Sequence, residues 1–202
     1  KAINLLRQAA KKINTQVIEK DGGAAFYGPK FDFNIKSAIG REFGASTNQL
    51  DFGSGKRFKL TYIDKDGVEK VIPYIIHRAP LGSEERFIGF LIEHYAGAFP
   101  TWLAPIQIVI LPISDKHTDY AKKVESQLKS QNIRVELNDK SEPLNARVRD
   151  AELQKVPYIL VVGDREASSN SVSVRRRSSK EPTTQSLSEF TNTITHAIIT
   201  RN

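Results

Sequence analysis

Residues 106–113 read Ile-Gln-Ile-Val-Ile-Leu-Pro-Ile, and that run limits the fold more than any other stretch of the chain. A strand that is apolar at nearly every position has no polar face to offer water, so both its faces must be covered. Such a strand belongs in a mainly parallel sheet flanked by helices. The residues that follow keep this grammar. Ser114 or Asp115 caps an expected helix to about residue 131, 133–137 is a short strand, and 143–155 is a helix. A second buried strand at 158–162 ends at Gly163, 171–175 alternates as a strand, and 187–200 forms a last helix. Residues 168–171 and 178–184 are polar loops. The order β-α-β-α-β-β-α implies a small α/β domain.

The residues before Pro105 follow other rules. Pro100, Trp102 and Pro105 make a stiff connector, which divides the chain into domains 1–102 and 103–202. Apolar residues at helical spacing open the first part, with Lys11 and Lys12 where cations suit a helix end. Gly22-Gly23 breaks the pattern, and 31–35 then alternates strictly, as a half-buried strand does. A strand is expected at 47–52, and 59–63 with 71–76 flank Asp66-Gly67 as a hairpin. This part therefore reads as α+β with antiparallel sheet. Ser83, with Glu84 and Glu85, starts a helix whose stripe is Phe87, Leu91 and Tyr95 with Ile88 and Ile92, stopped by Gly97. Lys1 is not an initiator, and Ile3, Leu5 and Leu6 already look like the inner face of a helix. The chain is thus expected to be the C-terminal part of something longer.

Composition removes several chemistries. There is no cysteine and no methionine, which excludes a disulfide framework, a thiolate nucleophile and cysteine-ligated metal within this stretch. No apolar run approaches the ~20 residues that span a bilayer. The chain opens without a basic, then apolar, then small-residue signal, so secretion is not indicated. With 30 Lys+Arg against 23 Asp+Glu, the net charge of +7 is a mild pull toward polyanions. Arg175-Arg176-Arg177 is the densest positive run, open to reading as a solvated loop or as a phosphate contact.

Arg86 falls near the start of the expected helix, where the macrodipole mildly disfavours a cation. Either Glu84 or Glu85 neutralises it, or it shares an anion with free backbone N–H groups at the helix start. His77, at the end of the expected 71–76 strand, is a hydrogen-bonded structural residue or a metal ligand lacking its partners. His94, His117 and His196 stand at no ligand spacing and read as structural. No Ser-His-Asp order, P-loop or Rossmann glycine pattern has a supporting context. Phe26-Tyr27-Gly28-Pro29-Lys30 sets two aromatics and a lysine about a Gly-Pro turn. Gln49-Leu50-Asp51-Phe52 carries an amide and a carboxylate inside a strand, natural groups for orienting a ligand.

These segments, in this order, resemble threonyl-tRNA synthetase of class II. The resemblance rests on Ala25-Phe26-Tyr27-Gly28-Pro29-Lys30-Phe31-Asp32, Gln49-Leu50-Asp51-Phe52, His77-Arg78-Ala79 and Gly82-Ser83-Glu84-Glu85-Arg86-Phe87-Ile88-Gly89. Phe99-Pro100-Thr101-Trp102-Leu103-Ala104-Pro105 is similar to that family's junction between catalytic and anticodon-binding domains. Arg147-Val148-Arg149-Asp150-Ala151-Glu152, Val156-Pro157-Tyr158 and Gly163-Asp164-Arg165-Glu166 look like the class II anticodon-binding domain, a fold shared with histidyl, prolyl and glycyl enzymes.

The resemblance implies the end of an antiparallel-sheet catalytic domain, then a small α/β domain with a mainly parallel five-stranded sheet. It implies ATP-dependent activation of threonine, with Mg, and transfer to tRNA(Thr) by a cytoplasmic homodimer. Arg86 would be the motif 3 arginine on ATP, with Ser83 and Thr47 beside the nucleotide. Tyr27 and Gln49 would line the threonine pocket, and Lys30 would lie near the acceptor end. His77 would be one of three zinc ligands; the zinc takes the amino and hydroxyl groups of threonine, which excludes valine. Arg149, Glu166 and Arg175 would read anticodon bases, as arginines do by bidentate bonds and stacking. The family's usual Gln-Cys-Gly-Thr is here Gly44-Ala45-Ser46-Thr47, so the amide that helps hold the nucleotide is replaced by glycine. Position 141 is Ser, where bacterial members often have an Asn facing the anticodon. Motifs 1 and 2 and the other zinc ligands, a Cys and a His, are expected upstream, so these 202 residues alone are expected to be catalytically inactive. The competing readings are a non-catalytic synthetase-like RNA-binding paralogue and an unrelated small-ligand α/β protein.

Overall fold

The structure is a computed structural model describing residues 2–179 and 181–201. Lys1 and Lys180, which fall in the expected first helix and the 178–184 loop, lie outside the described residues. The chain packs as two units that divide between His94 and Tyr95.

The first unit runs through α1 (Ala2–Lys12), β1 (Lys30–Lys36), β2 (Glu42–Asp51), the short helix α2 (Ser54–Arg57), β3 (Thr61–Ile63), β4 (Glu69–Val71), β5 (Ile75–Ala79) and α3 (Glu84–Tyr95). Strand β2 is the centre of a three-stranded antiparallel sheet, order β1-β2-β5. β3 and β4 form the hairpin around Gly67, but the expected strand 71–76 is two strands. β4 stops at Val71 and pairs with β3, whereas β5 starts at Ile75 and pairs with β2. Pro73 lies between them and has no N–H for either ladder. His77 therefore sits inside β5 and not at a strand end. A register shift between Phe33 and Asn34 leaves Ala45 unpaired on β2, a bulge at the Gly44-Ala45 departure.

Two expected inner stripes are not covered among the described residues. Ile3 and Leu5 of α1 are about half exposed, and Ile88 of α3 keeps 53% of its surface accessible. Three strands and one hairpin are too few to bury both stripes. Only Phe87, Leu91 and Tyr95 of the α3 stripe are partly buried.

The second unit holds β6 (Ile108–Pro112), a 3-10 turn (Asp115–His117), α4 (Thr118–Lys129), β7 (Val135–Leu137), α5 (Leu144–Leu153), β8 (Tyr158–Val162), α6 (Asp164–Ser169), β9 (Ser171–Arg176), β10 (Thr183–Ser186) and α7 (Leu187–Ile199). Its five-stranded sheet has the order β10-β9-β8-β6-β7. β7, β6 and β8 are parallel; β9 and β10 add antiparallel to them. As the apolar run requires, every residue of β6 is buried, and alternation divides its side chains between two cores. Ile108 and Ile110 pack with Val124 and Leu128 of α4 and with Phe190 and Ile194 of α7. Val109 and Leu111 pack with Val148 and Ala151 of α5.

Helix α6 and strand β10 are elements that periodicity does not disclose. β10 takes Thr183 and Thr184 out of the expected polar loop, because an edge strand facing water needs no apolar alternation. The connector 99–105 packs with this unit. Gln107, fully buried within the apolar run, donates to the Thr101 carbonyl at 2.9 Å and accepts from the Arg134 amide at 2.9 Å. Arg134 in turn donates to the carbonyls of Ala104 and Trp102.

Candidate functional site

In the first unit, strand register alone assembles a polar face. Gln49 on β2 stands between Lys30 of β1 and His77 of β5, its two pairing partners. Because side chains alternate, Thr47 and Asp51 share the Gln49 face. Lys30 pairs with Asp32 two residues along β1 at 2.7 Å. The Tyr27 hydroxyl donates to Gln49 Oε1, and its ring lies 5.5 Å from the His77 ring. Tyr27, Lys30, Gln49 and His77, four residues spread over fifty positions, thus meet, with Thr47 next along the same strand.

Asp51 completes this end of β2. Its carboxylate faces His77 Nε2 through Oδ2 at 2.9 Å, while Oδ1 accepts the backbone N–H groups of Gly53 at 2.8 Å and Ser54 at 2.9 Å. The hydrogen bond from His77, then those from Ser54 and Gly53, hold the Asp51 carboxyl well below the usual carboxylate range, so it is ionised at neutral pH. These groups line a cleft of about 420 Å³. Arg57 and Phe58 stand at its rim with Phe26, which is 95% exposed. Arg57 escapes sequence reasoning, since Lys56-Arg57 looks like any solvated basic pair.

Gly28 shows how tightly the 26–30 turn is seated. Tyr27 and Pro29 carbonyls accept the amides of Phe52 and Leu50, so a Cβ at Gly28 would fall on the Leu50 carbonyl oxygen. Gly28→Ala must lift the turn and with it Tyr27. The expected result is a rise of tenfold or more in the KM for the ligand of this cleft, on the order of what ångström-scale misplacement costs. An unchanged KM would show that Tyr27 does not position that ligand.

The other end of β2 meets the start of α3. Ser83 Oγ accepts the Arg86 amide at 3.3 Å, the expected cap. A Cβ on Gly82 would lie 3.7 Å from the Ala45 carbonyl oxygen, so the α3 entry runs beside the bulge. Among the described residues no carboxylate lies within ion-pair distance of Arg86, so neutralisation by Glu84 or Glu85 is not realised. Its guanidinium instead sits 5.3 Å above the Phe43 ring, which stacks on Phe90 of α3.

In the second unit the chain leaves β6 toward β7 on one side and returns to β8 on the other. The ends of β6 and β8 therefore form a topological switch point, the usual ligand crevice of such sheets. His117 closes it: Nδ1 accepts the Ser114 amide at 3.2 Å, and Nε2 faces Asp164 at 3.1 Å. His117 is thus structural. Glu166, in the first turn of α6, accepts the Gly163 amide at 3.0 Å. Burial pushes the Tyr120 hydroxyl up, and the Glu166 charge adds to it.

The arginines separate by role. Arg147 is buried and donates to three carbonyls, whereas Arg149 is exposed. The triplet 175–177 is not one patch. Arg177 donates to the carbonyls of Lys155 and Phe99, and Arg176 lies over the Tyr158 ring. None of the three is in an ion pair among the described residues, and Arg175 is the member whose side chain also has no hydrogen bond or ring contact there. It is opposite Ile159, near the start of β8, while Glu166 follows that strand's end. At about 3.3 Å per residue, register sets Arg175 roughly 10 Å short of that strand end. No hydrogen bond or ion pair joins Arg149, Glu166 and Arg175 among the described residues.

A family model described as the tRNA synthetase class II core domain (G, H, P, S and T) matches residues 3–95, and one described as an anticodon binding domain matches residues 107–196. The threonine–tRNA ligase of Sulfurihydrogenibium sp. is 50% identical over 197 residues, 98% of this chain and 30% of that protein. The Thermus thermophilus threonine–tRNA ligase is 51% identical over 92% of this chain and 28% of its own length. The chain therefore spans about 30% of the length of these relatives. Among solved structures, the RNA binding domain of threonyl-tRNA synthetase from Cryptosporidium parvum aligns with a TM-score of 0.86 and 35% identity. That alignment covers 96% of this chain and 49% of the other. A putative threonyl-tRNA synthetase from Aeropyrum pernix aligns at 0.68 and 29% identity, covering 98% and 49%.

Proposed function

Since the chain belongs to the threonyl-type class II tRNA synthetases, we propose that it supplies the motif 3 end of a threonine–tRNA ligase active site together with the domain that reads the tRNA(Thr) anticodon. The observation that carries this reading is the meeting of Tyr27 and His77 at one cleft, with Gln49 bonded to the Tyr27 hydroxyl and opposite His77 in the sheet. The full reaction, ATP-dependent activation of threonine and its transfer to tRNA, needs residues besides these 202.

A small amino acid fits the Tyr27 and Gln49 end of β2, and ATP fits the Arg86 end. The Tyr27 hydroxyl, bonded to Gln49, is fixed in orientation before a ligand arrives. Arg86 brings an unpaired guanidinium to phosphate charge, with Ser83 at the same helix start, while register puts Thr47 on the sheet face opposite to the Phe43 side chain that Arg86 covers. Lys30, tied to Asp32, faces the same side near the acceptor end. Zinc fits His77 as one ligand of a shared set. His77 lines the cleft with its side chain 47% exposed and a carboxylate behind it. Among the described residues no group of three or more His, Asp or Glu could hold a metal by itself. A bound zinc would supply a Lewis acid that prefers a hydroxyl-bearing amino acid. The resemblance is the ground for a homodimer, for Mg with ATP and for a cytoplasmic location; among the described residues no helix is long and apolar enough to cross a membrane.

Arg149, Glu166 and Arg175 lie on three separate elements, a spread that suits splayed bases better than one phosphate. Binding to threonine tRNA is expected to exceed binding to the same tRNA with a changed anticodon at both low and high salt. Glu166→Ala or Arg175→Ala should remove the preference. Equal binding that falls steeply with salt would mean backbone contacts only and would favour the non-catalytic RNA-binding paralogue.

A further inference from the structure

We propose that Asp51 is the positioning residue of the His77 site: by facing Nε2 it sets the imidazole tautomer and leaves Nδ1 as the nitrogen that binds metal. This rests on reading His77 as a ligand and goes beyond it. A carboxylate only accepts, so the nitrogen 2.9 Å from Asp51 Oδ2 carries the hydrogen. A neutral imidazole with Nε2–H has its lone pair on Nδ1, and only an unprotonated nitrogen can ligate.

The geometry behind the imidazole is overdetermined. His77 stands opposite Gln49, so its bond to Asp51 crosses the sheet diagonally on one face. Oδ1 of the same carboxylate holds the amides of Gly53 and Ser54, which start α2. The Asp51 side chain is 1% exposed and, though it borders the cleft, both its oxygens are engaged, Oδ2 by His77 and Oδ1 by the Gly53 and Ser54 amides, so it supports the ring. A carboxylate with no other duty than the turn would need only Oδ1.

Asp51→Asn separates the two duties. The amide oxygen can keep the Gly53 and Ser54 bonds, but the –NH₂ then meets Nε2, demands an acceptor there and drives the hydrogen to Nδ1. In the full-length protein, zinc affinity by competition with a chromophoric chelator is expected to fall about 10–100-fold in Asp51→Asn. Thermal stability should stay near that of the parent, and Asp51→Glu should recover part of the affinity. His77→Ala, the reference, should lose the zinc outright. Full zinc affinity in Asp51→Asn, with loss in His77→Ala, overturns the role of Asp51 and spares His77 as a ligand. Full affinity in His77→Ala overturns both. A zinc-loaded parent crystal structure decides the matter even where the variants fold poorly: metal on Nδ1 with the Asp51–Nε2 bond kept is the expected result, and metal on Nε2 overturns the proposal.

Discussion

Replacing Arg86 with alanine in the full-length protein is expected to slow threonine-dependent ATP–pyrophosphate exchange by about 10²–10³-fold, the range seen when one preorganised donor to developing charge is removed. Neither Glu84 nor Glu85 pairs with the side chain, and Phe43 props the guanidinium from below. It thus lies at a helix start, where the macrodipole and the backbone N–H groups left uncapped favour an anion. A cation there gains little for the fold and much for phosphate. Arg86→Lys should recover only part of the rate, because an ammonium cannot make two parallel bonds to phosphate. The KM for threonine should change far less than the rate. Exchange within threefold of the parent would take Arg86 out of the reaction.

Arg147→Ala is expected to destabilise the second unit by about 3–5 kcal/mol, a fall of roughly 15 °C or more in Tm. Arg147 is 4% exposed and gathers three carbonyls: Glu142 at 3.1 Å, Asn138 at 2.9 Å and Pro112 at 2.9 Å. It therefore ties the end of β6 to the loop that leads into α5. Alanine leaves three carbonyl acceptors without their charged donor in a cavity the size of the lost side chain. Trp102, the one tryptophan, lies in this unit, so its fluorescence reports the transition directly. A Tm shift below about 3 °C would mean that water replaces the guanidinium at no cost.

Much of the architecture was legible because it depends on local period. The run 106–113 requires two covered faces, and β6 has a core on each. The alternation of 31–35 and the cap at Ser83 likewise appear as β1 and the start of α3. The hairpin partner of β3 was misplaced because residues 71–76 look continuous, whereas Pro73 divides them between two sheets. β10 was missed because four polar residues at a sheet edge carry no period of hydrophobicity at all.

The candidate site divides along the same line. The motifs containing Tyr27, Gln49, His77 and Arg86 are visible in the chain, as is their resemblance to a synthetase. That Asp51 backs His77 follows only from the antiparallel register of β2 and β5, which sets residues 26 positions apart diagonally on one face. The arginines make the same point more sharply. Arg147 and Arg149 are two residues apart on one helix, which turns them about 200° from each other; one enters the core and the other meets solvent. Arg177 reaches the carbonyl of Phe99, 78 positions away, and so is spent on the fold, while Arg175 is not. Periodicity and capping are properties of neighbours in sequence, and sequence alone determined them here. Which cation or imidazole is free to meet a ligand depends on which carbonyls and carboxylates the fold brings within about 3 Å of it, and only the tertiary structure decided that.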